Sequence, residues 1–225
     1  MAATGLALAL ASLALAATDL PDWLRLGLAG LAALAVAGQA GALLATHAVY
    51  DLSPLHRWTW LQVPAPRRWL VLHAGLDEAT DPLRALFPEA MGDTLDVFDP
   101  DRMTEPSIRV AHSGTAAGAP FDALPAGAAS YDLVLLEFVA HELRRPEDRV
   151  ALLSEARRVL APGGRAVVVE HTRNLANFLA YGPGAFHFVP RRDWEHRFAA
   201  AGLRVANTQR IARLVRVWTL EVGDG

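Results

Sequence analysis

Apolar positions follow two different rhythms along the chain. Residues 2–18 and 26–49 are long, nearly unbroken runs, whereas from about residue 68 onward the apolar runs are short and separated by turns. Leu133–Leu136 is such a short run, the pattern of a strand buried on both faces of a parallel sheet. After Pro146 the residues Val150, Leu153, Ala156, Val159 and Leu160 recur at helical spacing, with charged residues between them. Pro162-Gly163-Gly164 is expected to end that helix, because glycine tolerates a left-handed C-terminal turn. Ala166–Val169 is the next buried strand, closed by Glu170 and His171. A strand-helix-strand unit of this kind predicts a parallel sheet and an α/β domain. Arg68–Gly75 reads as an earlier strand entering a loop, and Asp96–Asp101 as the end of a second strand. Pro190–Ala201 reads as the final helix, stopped by Gly202; Arg204–Ile211 and Val215–Val222 read as a closing antiparallel pair.

The two long runs predict a different environment. A helix needs about 20 apolar residues to cross the hydrocarbon core; Leu26–Val49 reaches that length and Ala2–Thr18 comes close. Asp19–Trp23 between them reads as a polar turn with an interfacial tryptophan. The expected organisation is a transmembrane helical hairpin over residues 1–50, an interfacial linker over 51–66 and an α/β domain over 67–225. Ala37, Gly41 and Ala45, each four residues apart, form a stripe on which another helix could pack. His56, Arg57, Arg67 and Arg68 follow the second run, so the positive-inside rule puts the domain on the cytoplasmic face of an inner or cytoplasmic membrane. Two alternatives are a signal peptide cleaved near Ala14-Leu15-Ala16, and a pair of buried core helices. Tyr50–Gln62 carries Trp58 and Trp60 beside His56 and Arg57, a composition that suits the headgroup layer or a cover over a bound cofactor.

Composition narrows the chemistry. The formal net charge of -3 provides no basic footprint, so nucleic acid is not an expected partner. A cysteine count of 0 excludes disulfides, thiolate zinc sites and thiol nucleophiles.

The stretch YDLVLL…EARRVLAPGGRAVVVEH, between residues 131 and 171, resembles the strand-4 to strand-5 region of class I S-adenosylmethionine-dependent methyltransferases. The nearest likeness is to their small-molecule branch, which includes quinone C-methyltransferases. The resemblance extends over about Leu70 to Val222 and implies a Rossmann-like sheet of seven strands with helices on both faces. It also implies S-adenosyl-L-methionine as cofactor. The family's glycine-rich loop aligns with His73-Ala74-Gly75-Leu76-Asp77-Glu78-Ala79, which keeps only Gly75 and replaces the strand's acid by His73. Asp77 could serve the cofactor's ammonium from a shifted position. Asp99, with Asp101 second, matches the acid that accepts from the ribose hydroxyls, and Asp122 lies near the acid that meets the adenine amino group.

In open α/β sheets ligands bind outside the carboxyl ends of the strands. Glu137, His141 and Glu142 fall at one such end, and Glu170 and His171 at the next. Methyl transfer requires alignment and, for some acceptors, removal of a proton. His141 and His171 are the candidate bases, with Glu137 and Glu142 as alternatives; Glu137 is also a cofactor candidate. Residues 172–188 resemble a substrate lid, with Asn177, Tyr181 and His187 as acceptor contacts and Phe178, Phe186 and Phe188 as apolar walls. His187 has no partner at ligand spacing along the sequence, so no metal is expected. The resulting expectation is a methyltransferase acting on a small, membrane-soluble acceptor such as a quinone, isoprenoid or lipid. Two rivals are other chemistry on the same fold and a non-catalytic membrane module whose cofactor site has eroded.

Overall fold

The computed structural model describes residues 20–112 and 118–223. The first apolar run, the Ala14-Leu15-Ala16 motif and Asp19 lie outside the described residues. The described chain begins with helix α1, Asp22–His47, which continues through a π-helical turn, Ala48–Leu52, and a 3-10 turn, Leu55–Arg57. Asp22 and Trp23 therefore open the helix instead of forming the expected turn, with Pro21 as N-cap.

Six strands form one sheet: β1 Arg68–His73, β2 Met91–Asp96, β3 Tyr131–Glu137, β4 Leu160–His171, β5 Leu203–Ile211 and β6 Val215–Val222. Their order is β2-β1-β3-β4-β6-β5, with the first four parallel and β6 antiparallel to both neighbours. The helices are α2 Thr80–Leu86, α3 Pro106–Ala111, α4 Pro146–Val159, α5 Leu175–Tyr181 and α6 Arg191–Ala200. The expected seventh strand is not formed among the described residues. What stands beside β2 is a two-bond contact, in which Gly118 N donates to Phe98 O and Ala119 N to Asp96 O.

The Pro162-Gly163-Gly164 turn lies one step later than expected. Helix α4 stops at Val159, Leu160 already pairs with Tyr131, and the next paired residue is Arg165 opposite Leu133. The intervening residues bulge out of β4, with Gly163 at φ +78°. The proline and glycines thus break a strand after the helix has already ended.

Alternation along β1, β3 and β4 sends side chains to two cores. One face carries Leu70, Leu72, Val134, Leu136 and Val168 against α4, α6 and Trp218. The other carries Trp69, Val71, Leu133, Leu135 and Val167 against Val49, Leu55, Trp58 and Trp60. Trp58 and Trp60 are therefore core residues rather than headgroup anchors, and Trp60 Nε1 donates to Leu55 O at 2.7 Å. Helix α1 packs differently. Ala32 is its one buried residue, while Trp23, Leu26, Leu31, Leu34, Leu43 and Leu44 are exposed. An exposed helix of this composition is not a core helix of the domain. Asp22–Arg57 is long and apolar enough to cross a membrane.

Candidate active site

A cavity of about 400 Å³ opens at the carboxyl ends of β1, β3 and β4. That volume suits a small-molecule site, and the position is the one where open α/β sheets bind ligands. Its walls come from the end of α1 (Thr46, Tyr50), the loop after β1 (His73 to Ala79), Ile108, and the ends of β3 and β4.

Acidic groups gather on one side. Asp77, Glu78 and Glu137 all line the cavity. Burial of Glu137, together with the charges of Glu78 and Asp77, pushes its carboxyl up to about 8. Its Oε2 is buried without a hydrogen-bond partner among the described residues. Burial also acts on Asp77, but hydrogen bonds from Thr80 and Ala79 prevail and hold its carboxyl below the usual range. Among the described residues, the lining carries carboxyl groups of Asp77, Glu78, Glu137 and Glu142 and no lysine or arginine.

The opposite wall holds His171. Its ring is stacked between Phe138 (5.2 Å between centroids) and Phe188 (4.9 Å). Its Nδ1 lies 3.2 Å from the Leu214 carbonyl, which can only accept, so Nδ1 carries the proton and Nε2 keeps a lone pair. That Nε2 is 3.4 Å from the Tyr50 hydroxyl. Burial, and then the charge on His141, lower the imidazole to about 4. His171 is held as the neutral ring. Phe138, which covers it, adopts φ +50°, an uncommon backbone state for a non-glycine residue.

His141 has the opposite character. Its Nδ1 is 2.7 Å from Glu170 and its Nε2 is 3.0 Å from Glu142. Burial alone would favour the neutral ring, but the two carboxylates prevail and raise it to about 10. His141 therefore carries both protons at neutral pH and has no lone pair with which to accept another. The expectation of His141 as a base fails for this reason.

Other expected site residues are dispersed. His73, Gly75, Asp77 and Glu137 fall at or beside the cavity, with His73 Nδ1 accepting from Gly75 N at 3.2 Å. Asp99 and Asp122 do not line it. One oxygen of Asp99 caps the following turn through Asp101 N and Arg102 N, and Asp122 is exposed. The groove beside Gly75 is filled by the His112 ring, which stacks on Phe98 at 3.8 Å and pairs with Asp96 at 2.8 Å. Any Cβ at position 75 would run into that ring, so glycine is required there on spatial grounds as well as by its φ of +84°.

The expected acceptor contacts also move. Asn177 is fully buried, and its Nδ2 donates to Thr172 O and Leu214 O at 2.8 Å each. It fixes the carbonyl that orients His171 and faces no acceptor. Tyr181 lies edge-on to His171 and interacts with Thr46, outside the cavity wall. Phe178 and Phe186 point outward, leaving Phe188 as the one aromatic of the expected three that packs at the site. His187 contacts Arg144, whose Nη1 is 2.5 Å from its Nδ1. The fold does bring ligand atoms of His141, Glu142 and His187 within 4.8 Å of one another, a grouping hidden by their sequence spacing. The Arg144 guanidinium already supplies positive charge there, and a metal would have to displace it. The sequence puts Tyr50 in a segment able to cover a cofactor and Glu170 at a ligand-binding strand end, but it offers no sign that either one contacts a particular histidine.

Residues 99–168 match the family model described as a methyltransferase domain, a stretch that begins after the Gly75 loop. A solved S-adenosylmethionine-dependent methyltransferase from Aquifex aeolicus is similar over 82% of this chain and 98% of its own, at 14% identity and a TM-score of 0.59. The fold is that of the class I S-adenosylmethionine-dependent methyltransferases. The O-methyltransferase NcsB1 from neocarzinostatin biosynthesis, solved with S-adenosyl-L-homocysteine and 1,4-dihydroxy-2-naphthoic acid, is similar over 97% of this chain and 69% of its own, at 17% identity and a TM-score of 0.55. The pyocyanin biosynthetic protein PhzM is similar over 94% of this chain and 61% of its own, at 18% identity and a TM-score of 0.53. No curated protein matches the sequence. S-adenosylmethionine is the cofactor to which this fold and family model point.

Proposed function

We propose that this protein transfers a methyl group from S-adenosylmethionine to a small lipophilic acceptor, of the quinone, isoprenoid or lipid type, at a membrane. The observation that carries the reading is the pairing of an acidic wall with a neutral histidine across one cavity. The orphaned Oε2 of Glu137 is the test of fit. A buried carboxyl with no partner and a raised pKa is what a site looks like when its cation is missing. Asp77 and Glu137 would hold the cofactor's positive end. When bound, S-adenosylmethionine supplies a methyl group on a positively charged sulfur. His171 Nε2 would accept the acceptor's proton, while Leu214 O fixes the tautomer and Tyr50 steadies the ring edge. The acceptor would give its proton to His171 as it takes the methyl group, so that charge balances across the cavity.

Helix α1 supports the lipophilic acceptor, because its last turns supply Thr46 and Tyr50 to the cavity. It also supports a membrane location, with the domain on the cytoplasmic side by the charge rule. One observation favours a second reading, a non-catalytic membrane module: the His112 ring fills the space beside Gly75, in the loop that aligns with the family's glycine-rich motif.

Calorimetric titration of S-adenosylmethionine into the detergent-solubilised full-length protein separates the two. Saturable binding is expected, weakened in Glu137→Gln. Absence of binding by a folded sample overturns the cofactor assignment, and binding indifferent to Glu137→Gln removes Glu137 from the cofactor site.

A further inference from the structure

Helix α5 and the 3-10 turn after it, Gly182–His187, are built inside out for a soluble lid. The inward face of α5 carries the small residues Ala176 and Ala180, packed in the core below the sheet, together with the buried Asn177. The outward face carries Leu175 (71% exposed), Phe178 (43%) and Leu179 (75%), and Phe186 (62%) extends it from the next turn. The Phe178 and Phe186 rings meet edge to face at 5.8 Å, so these side chains form one patch. Residues 174–190 contain no Asp, Glu, Lys or Arg, whereas Arg173 precedes them and Arg191 and Arg192 follow. Arg173 lies at the rim, its guanidinium 6.0 Å from the Phe186 ring centre.

We infer that this patch is a second membrane-contacting surface whose occupant is the lipid bilayer. The inference rests on the membrane reading of α1. Continuity is the main argument: Tyr181 at the end of α5 interacts with Thr46 near the end of α1, and Ala45 packs in the same core as Ala176 and Ala180. An apolar patch beside the end of a membrane-length helix, with cationic residues at its borders, suits the boundary between acyl chains and anionic headgroups. A protein partner would have to approach across that same helix end. The consequence for the site is a lateral route. Helix α5 stands between the bilayer and His171, so an acceptor dissolved in lipid would reach the cavity without crossing water.

The chain has 0 cysteines, so single-cysteine variants label at one place only. We would place an environment-sensitive fluorophore at Leu179→Cys, Phe186→Cys, Leu34→Cys in α1, and Val110→Cys, an exposed position on α3. The full-length protein would be set in nanodiscs of phosphatidylcholine and phosphatidylglycerol, with and without nitroxide-labelled lipid. Severalfold stronger quenching at positions 179 and 186 than at 110 is expected, alongside strong quenching at 34. Quenching at 34 with 179 and 186 matching 110 overturns this inference and leaves the membrane helix standing. No quenching at any of the four removes both. Labels at 179 and 186 that are shielded from water but untouched by lipid nitroxide would assign the patch to a protein partner and overturn the bilayer as occupant.

Discussion

The carboxyl ends of β3 and β4 each present a histidine, and the two have been turned to opposite purposes. His141 lies between Glu170 and Glu142 and is held as a cation, whereas His171 lies between two phenylalanine rings with a carbonyl at Nδ1 and is held neutral. The residue type is the same, and the neighbours decide the role. Carboxylates at both ring nitrogens favour the charged form of the first, while aromatic walls and one acceptor favour the neutral form of the second. The two are also coupled, because the charge on His141 helps keep the proton off His171.

The contrast can be broken first at Glu170, which is fully buried. Glu170→Ala should leave a buried imidazolium with half its compensation and cost about 3–5 kcal/mol, read as a lower denaturation midpoint. A midpoint equal to wild type would mean that the pair contributes nothing. His171→Ala should leave folding and cofactor binding nearly intact and slow methyl transfer by about 10²- to 10⁴-fold, measured as product formed per enzyme. A rate within error of wild type would show that the acceptor needs no base. The smallest effect is a slope with pH. His141 is raised from an ordinary value of 6.5 to about 10, so its contribution to stability is complete below pH 6.5 and is lost as pH climbs toward 10. His141 should therefore lower the unfolding free energy across that window by at most about 1.4 kcal/mol per pH unit, with Glu137 adding to the fall up to about pH 8. A flat profile there, or one that rises, would contradict a protonated His141.

Much of this architecture can be read from the chain. The apolar run at Leu133–Leu136, the periodicity after Pro146 and the run at Ala166–Val169 each became the expected element, because burial on both faces of a sheet leaves an unmistakable pattern. The exact place of the Pro-Gly-Gly bulge was not legible, since a glycine pair after a helix fits a cap and a bulge equally well. The site was half legible. Strand ends singled out Glu137, His141 and His171, but nothing local distinguishes a clamped histidine from a free one when one clamp, Glu170, is 29 positions away. Asp99 and Asp122 carried the right residue type, and the folded chain turned their carboxylates to a local turn and to solvent. Trp58 and Trp60 misled for a related reason: tryptophan beside arginine suits a headgroup layer, yet a sheet face needing cover captured both rings.

Tyr50 belongs to the helical turn that continues α1, and its hydroxyl reaches the catalytic candidate His171 across 121 positions of sequence. The segment that continues α1 therefore supplies part of the cavity wall. Grafting the sheet domain onto a foreign anchor, or trimming it to a water-soluble fragment, would keep the strands and remove one wall of the cavity.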